Sequence, residues 1–256
     1  MPASDPTTKR AGLQLIGRAA DLLRALEHVP EGLGLSELAT AVDLPKSTVH
    51  RLVGALEREV FVKLGPSGKW HLGRGLAQLG AAARDSLRDE LRPFLLRLAK
   101  DVDETVDLSV LDGTGARFID QVPSTHRLVA VSAVGVTFPL HCTANGKALL
   151  AALPSEQADV ILPARLTAFT EHTITGRKAL RNELAQIQAA GVAYDREEHS
   201  EGTSAVGAAV YDAYGVAAAI SVAAPTQRFI GEEATLEKLV RETCADASKD
   251  LGASTR

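Results

Sequence analysis

Lys46, Ser47, Thr48, His50 and Arg51 fall within six consecutive positions of a 256-residue chain. These types suit nucleic acid. Ammonium and guanidinium groups meet phosphate or guanine edges, hydroxyls bond phosphate or a base edge, and imidazole can do either. Lys69 extends the set. A second group, His141, Cys142, Asp195, His199 and Ser204, has the residue types of a hydrolytic or metal centre without the spacing. His141 and Cys142 are chain neighbours, which fixes no nucleophile–base geometry. No tight ligand spacing links them to Asp195 or His199. The sequence contains no GxSxG elbow, HExxH, P-loop or Rossmann glycine fingerprint. Cys142 and Cys244, about a hundred residues apart, form neither a disulfide framework nor a CxxC knuckle. No catalytic residue, metal ligand or cofactor is therefore expected. Two alternatives stay open: a metal- or redox-sensing regulator using Cys142 and His141, and a hydrolase.

For residues 46–51 to meet DNA, an element must present them at an exposed helix start. The stretch LSELATAVDLPKSTVHRLVGALE does so on paper. Leu35, Leu38, Ala39 and Val42 share one face of a short helix, with Ser36 as its expected N-cap. Asp43-Leu44-Pro45 breaks it, and proline suits the first turn of a following helix. There Val49, Leu52, Val53 and Leu56 repeat at i, i+3, i+4 and i+7, a narrow stripe that leaves the polar residues pointing elsewhere. A preceding helix is expected over 13–28. A hairpin follows, Phe61–Leu64 and Lys69–Leu72 around Gly65-Pro66-Ser67-Gly68, with Trp70 packed beneath it. Helix, turn, helix and wing in this order predict a winged helix-turn-helix, whose second helix fits the major groove. Residues 75–99 predict a connecting helix, broken or restarted near Pro93.

Beyond residue 105 the pattern changes. Strands are expected at Val106–Leu111, Arg117–Gln121, Leu128–Ala133, Val192–Asp195, Ala205–Tyr211 and Val216–Val222. Helices are expected at 145–152, 155–161, 176–190 and 231–251. Short turns such as Asp112-Gly113-Thr114-Gly115 suggest one antiparallel sheet with returning helices. Charge follows the same division. Residues 1–75 carry ten Lys+Arg against eight Asp+Glu, and the remainder 18 against 24, the asymmetry expected if the first part meets phosphate. The start of the chain has no apolar signal-like stretch and no window is long and apolar enough to span a membrane, so a cytoplasmic protein is expected.

PLHCTANGKALLAALP (139–154), AGVAYDREEHSEG (190–202) and AAAISVAAP (217–225), with the helix-turn-helix and the WHLG that closes the wing, resemble the IclR-type transcriptional regulators over nearly the whole chain. The resemblance implies an α+β protein. Its winged helix-turn-helix would span 11–74, a linker helix 75–90, and a GAF-like effector-binding and oligomerisation domain with an antiparallel sheet 91–252. It implies a repressor or activator that binds a palindromic double-stranded operator as a homodimer or homotetramer. A small organic effector, carboxylate-bearing or aromatic, would control it. Lys46, Ser47, Thr48, His50, Arg51 and Lys69 would contact DNA. Matching the family's ligand positions gives Ala144 and Asn145 around the start of one helix, to which Cys142 is added beside the pocket entrance and Gly146 for the close approach it permits. Asp195, Thr203, Ala205, Ser221 and Ala223 complete the set from the strands. A helix start near Asn145 or Gly146 would offer amide N–H groups to an anion. Lys147 is expected to point outward or pair with an acid, and Glu197, Glu198 and Glu201 to form a solvated face. The chain reads AVGAAV where many relatives have a cysteine, and SVAAP where many have a second serine or glycine. Both changes tilt the effector toward an apolar or aromatic body.

Overall fold

The computed structural model describes residues 6–27, 29–130 and 134–253, the side chains from residue 14 onward. Two compact units divide the chain, Met1–Asp85 and Ser86–Arg256.

The first unit is built from α1 (Pro6–Glu27), α2 (Leu35–Ala41), α3 (Lys46–Arg58) and the hairpin β1 (Val62–Leu64) and β2 (Trp70–Leu72). α1 starts well before the expected residue 13, and its expected end at 28 falls outside the described residues. Gly34, not Ser36, is the N-cap of α2, and the Glu37 carboxylate in the first turn accepts its N–H at 2.6 Å. Asp43, in the left-handed region at φ 48°, ends the helix, and the Pro45 carbonyl accepts the N–H groups of Thr48 and Val49 to start the next. The stripe Val49, Leu52, Val53 and Leu56 is buried against Leu22, Leu26, Leu38 and Trp70. Leu33 exchanges both backbone hydrogen bonds with Trp70, adding a third segment beside the wing. Gly73 is required where the wing closes, since a Cβ there would lie 2.2 Å from the Val60 carbonyl oxygen.

α4 (Arg74–Val102) runs uninterrupted through Pro93, so the expected break does not occur. Its later residues Leu91, Phe94, Leu95 and Leu98 are buried in the second unit, and this packing outweighs the lost backbone hydrogen bond.

The second unit is a six-stranded, wholly antiparallel sheet. Its strands are β3 (Thr105–Asp112), β4 (Gly115–Val122), β5 (Thr137–Pro139), β6 (Ala193–Arg196), β7 (Thr203–Tyr211) and β8 (Val216–Pro225), in spatial order β5-β4-β3-β8-β7-β6. Five of the expected strands are present. The sixth is corrected: 128–130 has no strand and 131–133 falls outside the described residues, while β5 was not foreseen. One face, with Val106, Leu108, Val206, Ile220 and Val222, packs on α4 and on α9 (Glu233–Asp250). The other carries α5 (Ala144–Ala151), α6 (Ser155–Ile161) and α7 (Arg177–Ala190) over Ala116, Phe118, Ala193 and Ala219. A short α8 (Thr226–Phe229) follows β8. Period-two alternation thus gives each strand one residue set per face.

Candidate functional site

At the start of α3, Lys46, Ser47, His50 and Arg51 are exposed and Thr48 is half-buried. The four buried apolar residues on the opposite side of the same turns fix this presentation. Lys69, half-buried, precedes β2 at the wing turn, where its carbonyl accepts the Gly65 N–H at 2.7 Å. Trp70 is buried, a packing residue of the wing rather than a surface for bases.

The second unit holds a cavity of about 110 Å³ between the start of α5 and the sheet. Register builds its floor. On one rung Asp107 of β3 pairs with Ser221 of β8, and Ser221 with Gly207 of β7. On the next, Ala223 of β8 pairs with Ala205 of β7, and Ala205 with Asp195 of β6. Small residues in the centre and acids toward the sides leave a recess. Bare backbone at Gly207 lets α5 begin against it, since a Cβ there would come within 3.3 Å of the Ala144 carbonyl carbon.

Of the nine expected effector residues, Ala144, Asn145, Asp195, Thr203, Ala205, Ser221 and Ala223 line this cavity. Cys142 and Gly146 do not. Gly146 lies against the chain itself, where a Cβ would meet the Leu140 backbone and the Thr143 hydroxyl at 2.6 Å. Its role is close packing, not the approach of a ligand. The helix begins at Ala144, with Thr143 as N-cap accepting the Gly146 N–H at 3.1 Å. Sequence reasoning missed Asp107, Phe118, Phe138, Thr143, His199 and Ser200, which also line the cavity, together with Ala130. Asp107 and Phe118 had a legible signal, a polar and an aromatic residue on the inward phase of predicted strands. His199 had none, because a turn places it.

The electrostatics are acidic without being charged throughout. Burial raises the Asp195 carboxyl to about 7, although it accepts the Glu198 N–H at 2.8 Å. Burial also lowers His199, so its imidazole is neutral near pH 7. Its ring lies edge-on to Phe138, which in turn meets Phe118, an aromatic side to the cavity. The Gln121 amide donates to Asp107 at 2.8 Å. Asn145 is 1 % exposed, and neither atom of its side-chain amide has a protein partner.

Lys147 and Glu198 correct the expectation for both. Lys147 is wholly buried and its ammonium donates to Glu183 and Glu198, so it neither points outward nor reaches the cavity. Glu198 is buried, not part of a solvated run. Glu197 holds the connecting turn in a left-handed conformation, φ 59°.

Cys142 is buried, and desolvation pushes its thiol up to about 12, a poor nucleophile or ligand at neutral pH. Cys244 belongs to the core on the other face of the sheet and its thiol donates to the Ala208 carbonyl. His141 Nε2 is 2.9 Å from the Thr167 carbonyl oxygen, and the Ser204 hydroxyl bonds Thr226 rather than a histidine. Among the described residues no three His, Cys, Asp or Glu side chains gather to hold a metal ion.

The family description "IclR helix-turn-helix domain" matches residues 15–64, and "Bacterial transcriptional regulator IclR C-terminal" matches residues 80–249. The chain is 48% identical over 237 residues to the HTH-type transcriptional regulator Rv1719 of Mycobacterium tuberculosis, covering 92% of each. It is 35% identical over 249 residues to the HTH-type transcriptional regulator TtgV of Pseudomonas putida, covering 97% of this chain and 95% of that one. Among solved structures it is similar to the IclR of Thermotoga maritima, with a TM-score of 0.63 and 27% identity over 94% of this chain and 99% of that chain.

Proposed function

We propose how this chain, which belongs to the IclR family of bacterial transcriptional regulators, divides its work. It is a DNA-binding transcriptional regulator with a helix-turn-helix domain and an effector-binding C-terminal domain. In our reading, 11–74 is the DNA-binding domain, 75–90 the linker and 91–252 the effector-binding and oligomerisation domain. α3 enters the major groove, where Lys46, Ser47, Thr48, His50 and Arg51 contact phosphates and base edges while Lys69 steadies the wing on the backbone. The observation that carries this is the opposition, within α3, of a buried apolar stripe and an exposed polar start.

The effector binds in the cavity beneath α5. A second copy of the chain completes a palindromic reader; Leu15, Ile16 and Leu79, 52%, 70% and 56% exposed, are apolar surface for it. The protein acts in the cytoplasm and has no catalytic activity. No helix among the described residues is long and apolar enough to cross a membrane.

The test is Arg51→Ala, measured by gel shift on an operator selected from a randomised duplex pool. Affinity should fall by about 1–3 kcal/mol. Equal affinity removes Arg51 from the interface.

A further inference from the structure

The cavity beneath α5 has three properties that together select a headgroup. First, no lysine or arginine lines it among the described residues, while Asp107 and Asp195 do. The nearby ammonium, Lys147, is already bound by Glu183 and Glu198. A carboxylate entering here meets two acidic groups and no free cation, and what favours it is the half-charge of the α5 N-terminus and neutral donors such as the Ser200, Thr203 and Ser221 hydroxyls. That same half-charge works against an ammonium. Second, Asn145 is buried with an unpartnered acceptor, Oδ1, and an unpartnered donor, Nδ2. A carboxylate can only accept and an ammonium can only donate, whereas a hydroxyl does both. Leaving either atom of a buried amide unpaired costs about 1–3 kcal/mol, so the group that satisfies both is favoured. Third, size and wall texture restrict the body. A volume near 110 Å³ compares with about 150 Å³ for an apolar cavity that takes benzene. Phe118, Phe138 and the neutral ring of His199 give one side an aromatic surface.

We propose that the effector of this regulator is an uncharged, hydroxyl-bearing molecule no larger than a single ring, its hydroxyl held by Asn145 beside Asp195 and its apolar body against Phe118 and Phe138. This rests on the reading of the cavity as the effector site and narrows the headgroup that the sequence left as carboxylate or aromatic.

The experiment is calorimetric titration of the full chain at pH 7.5 with benzyl alcohol, benzylamine and benzoate, which share a ring and differ by at most one heavy atom. Benzyl alcohol should bind at least about tenfold more tightly than either ion, the factor that one unmet hydrogen bond supplies. Asn145→Leu should reduce benzyl alcohol binding by a similar factor, as Leu fills the position without a polar partner. Benzoate or benzylamine binding as tightly as the alcohol overturns the proposal, and so does binding by none of the three. Ala223→Leu, which fills the cavity floor, separates the two readings. If a charged probe binds best and Ala223→Leu abolishes it, the cavity remains the effector site and only the headgroup assignment fails. If the alcohol binds and Ala223→Leu leaves it untouched, the site assignment itself fails, and the proposal with it. Circular dichroism of both variants confirms that they fold.

Discussion

Asp195 shows how far a residue's chemistry departs from its type once it is enclosed. Its ordinary carboxyl value of 3.8 rises to about 7 because burial penalises the charge and Glu198 adds a second negative group, partly offset by two backbone N–H donors and Lys147. Between these values the native state holds a proton that the unfolded chain has released. Stability from this group is therefore full below pH 4 and is lost as pH rises to about 7, a linkage of opposite sign to that of a salt-bridged aspartate. Asp195→Asn removes the dependence. The Tm of the variant minus that of the native chain should grow from pH 4 to pH 7.5 by at least about 2 °C; a constant difference across that range would contradict the burial argument. Lys147 sits at the same scale. Its two carboxylate partners are Glu183 and a buried Glu198. Lys147→Met leaves them facing one another without a cation, and denaturant unfolding should show a loss of about 3–5 kcal/mol.

Among elements, α5 depends on bare backbone at Gly207 and Gly146, and the wing on bare backbone at Gly73. The α5 helix starts under Leu140 only because Gly146 carries no side chain. Gly146→Ala should destabilise the chain by about 1–3 kcal/mol, the usual result of overpacking, and should weaken effector binding by shifting Ala144 and Asn145. Gly73→Ala places a Cβ 2.2 Å from a carbonyl oxygen that cannot move away without opening the wing. The expected consequence is selective: chemical-shift changes confined to the first unit and weaker DNA binding, with effector affinity retained. α3 needs no comparable device, because its stripe of four apolar residues fixes its rotation.

For the whole molecule the question is coupling. An effector that binds one arrangement of the regulator better than another shifts operator affinity by a factor set by that preference alone, commonly about 5- to 150-fold. Saturating effector should move the operator Kd within that range, and operator should move effector affinity by the same factor. Arg51→Ala should weaken operator binding by about 5- to 150-fold with and without effector, while leaving effector binding to the isolated protein unchanged. An effector whose affinity also falls in Arg51→Ala would mean that the two sites do not act through separate domains.

How much of this was legible beforehand depends on the range of the interactions concerned. The helix-turn-helix, its polar start and most strands of the sheet follow from local periodicity, because i, i+3, i+4, i+7 and i, i+2 spacings state which residues share a face. Seven lining residues were reachable through motif resemblance, while His199 and Ser200 come from a turn whose path no spacing encodes. Pro93 looked like a break because local chemistry says so, and only burial of Leu91, Leu95 and Leu98 carries the helix through it. Lys147 looked like a surface charge because lysine usually is one; the carboxylates that bury it stand 36 and 51 residues away. The sequence by itself thus determined the class of elements and which polar residues stand clear of the apolar stripe at the start of α3, since these depend on neighbours in the chain. Tertiary structure alone decided which acids are desolvated, which glycines touch backbone and where the cavity lies, since those depend on distances between residues that the chain brings together only when folded.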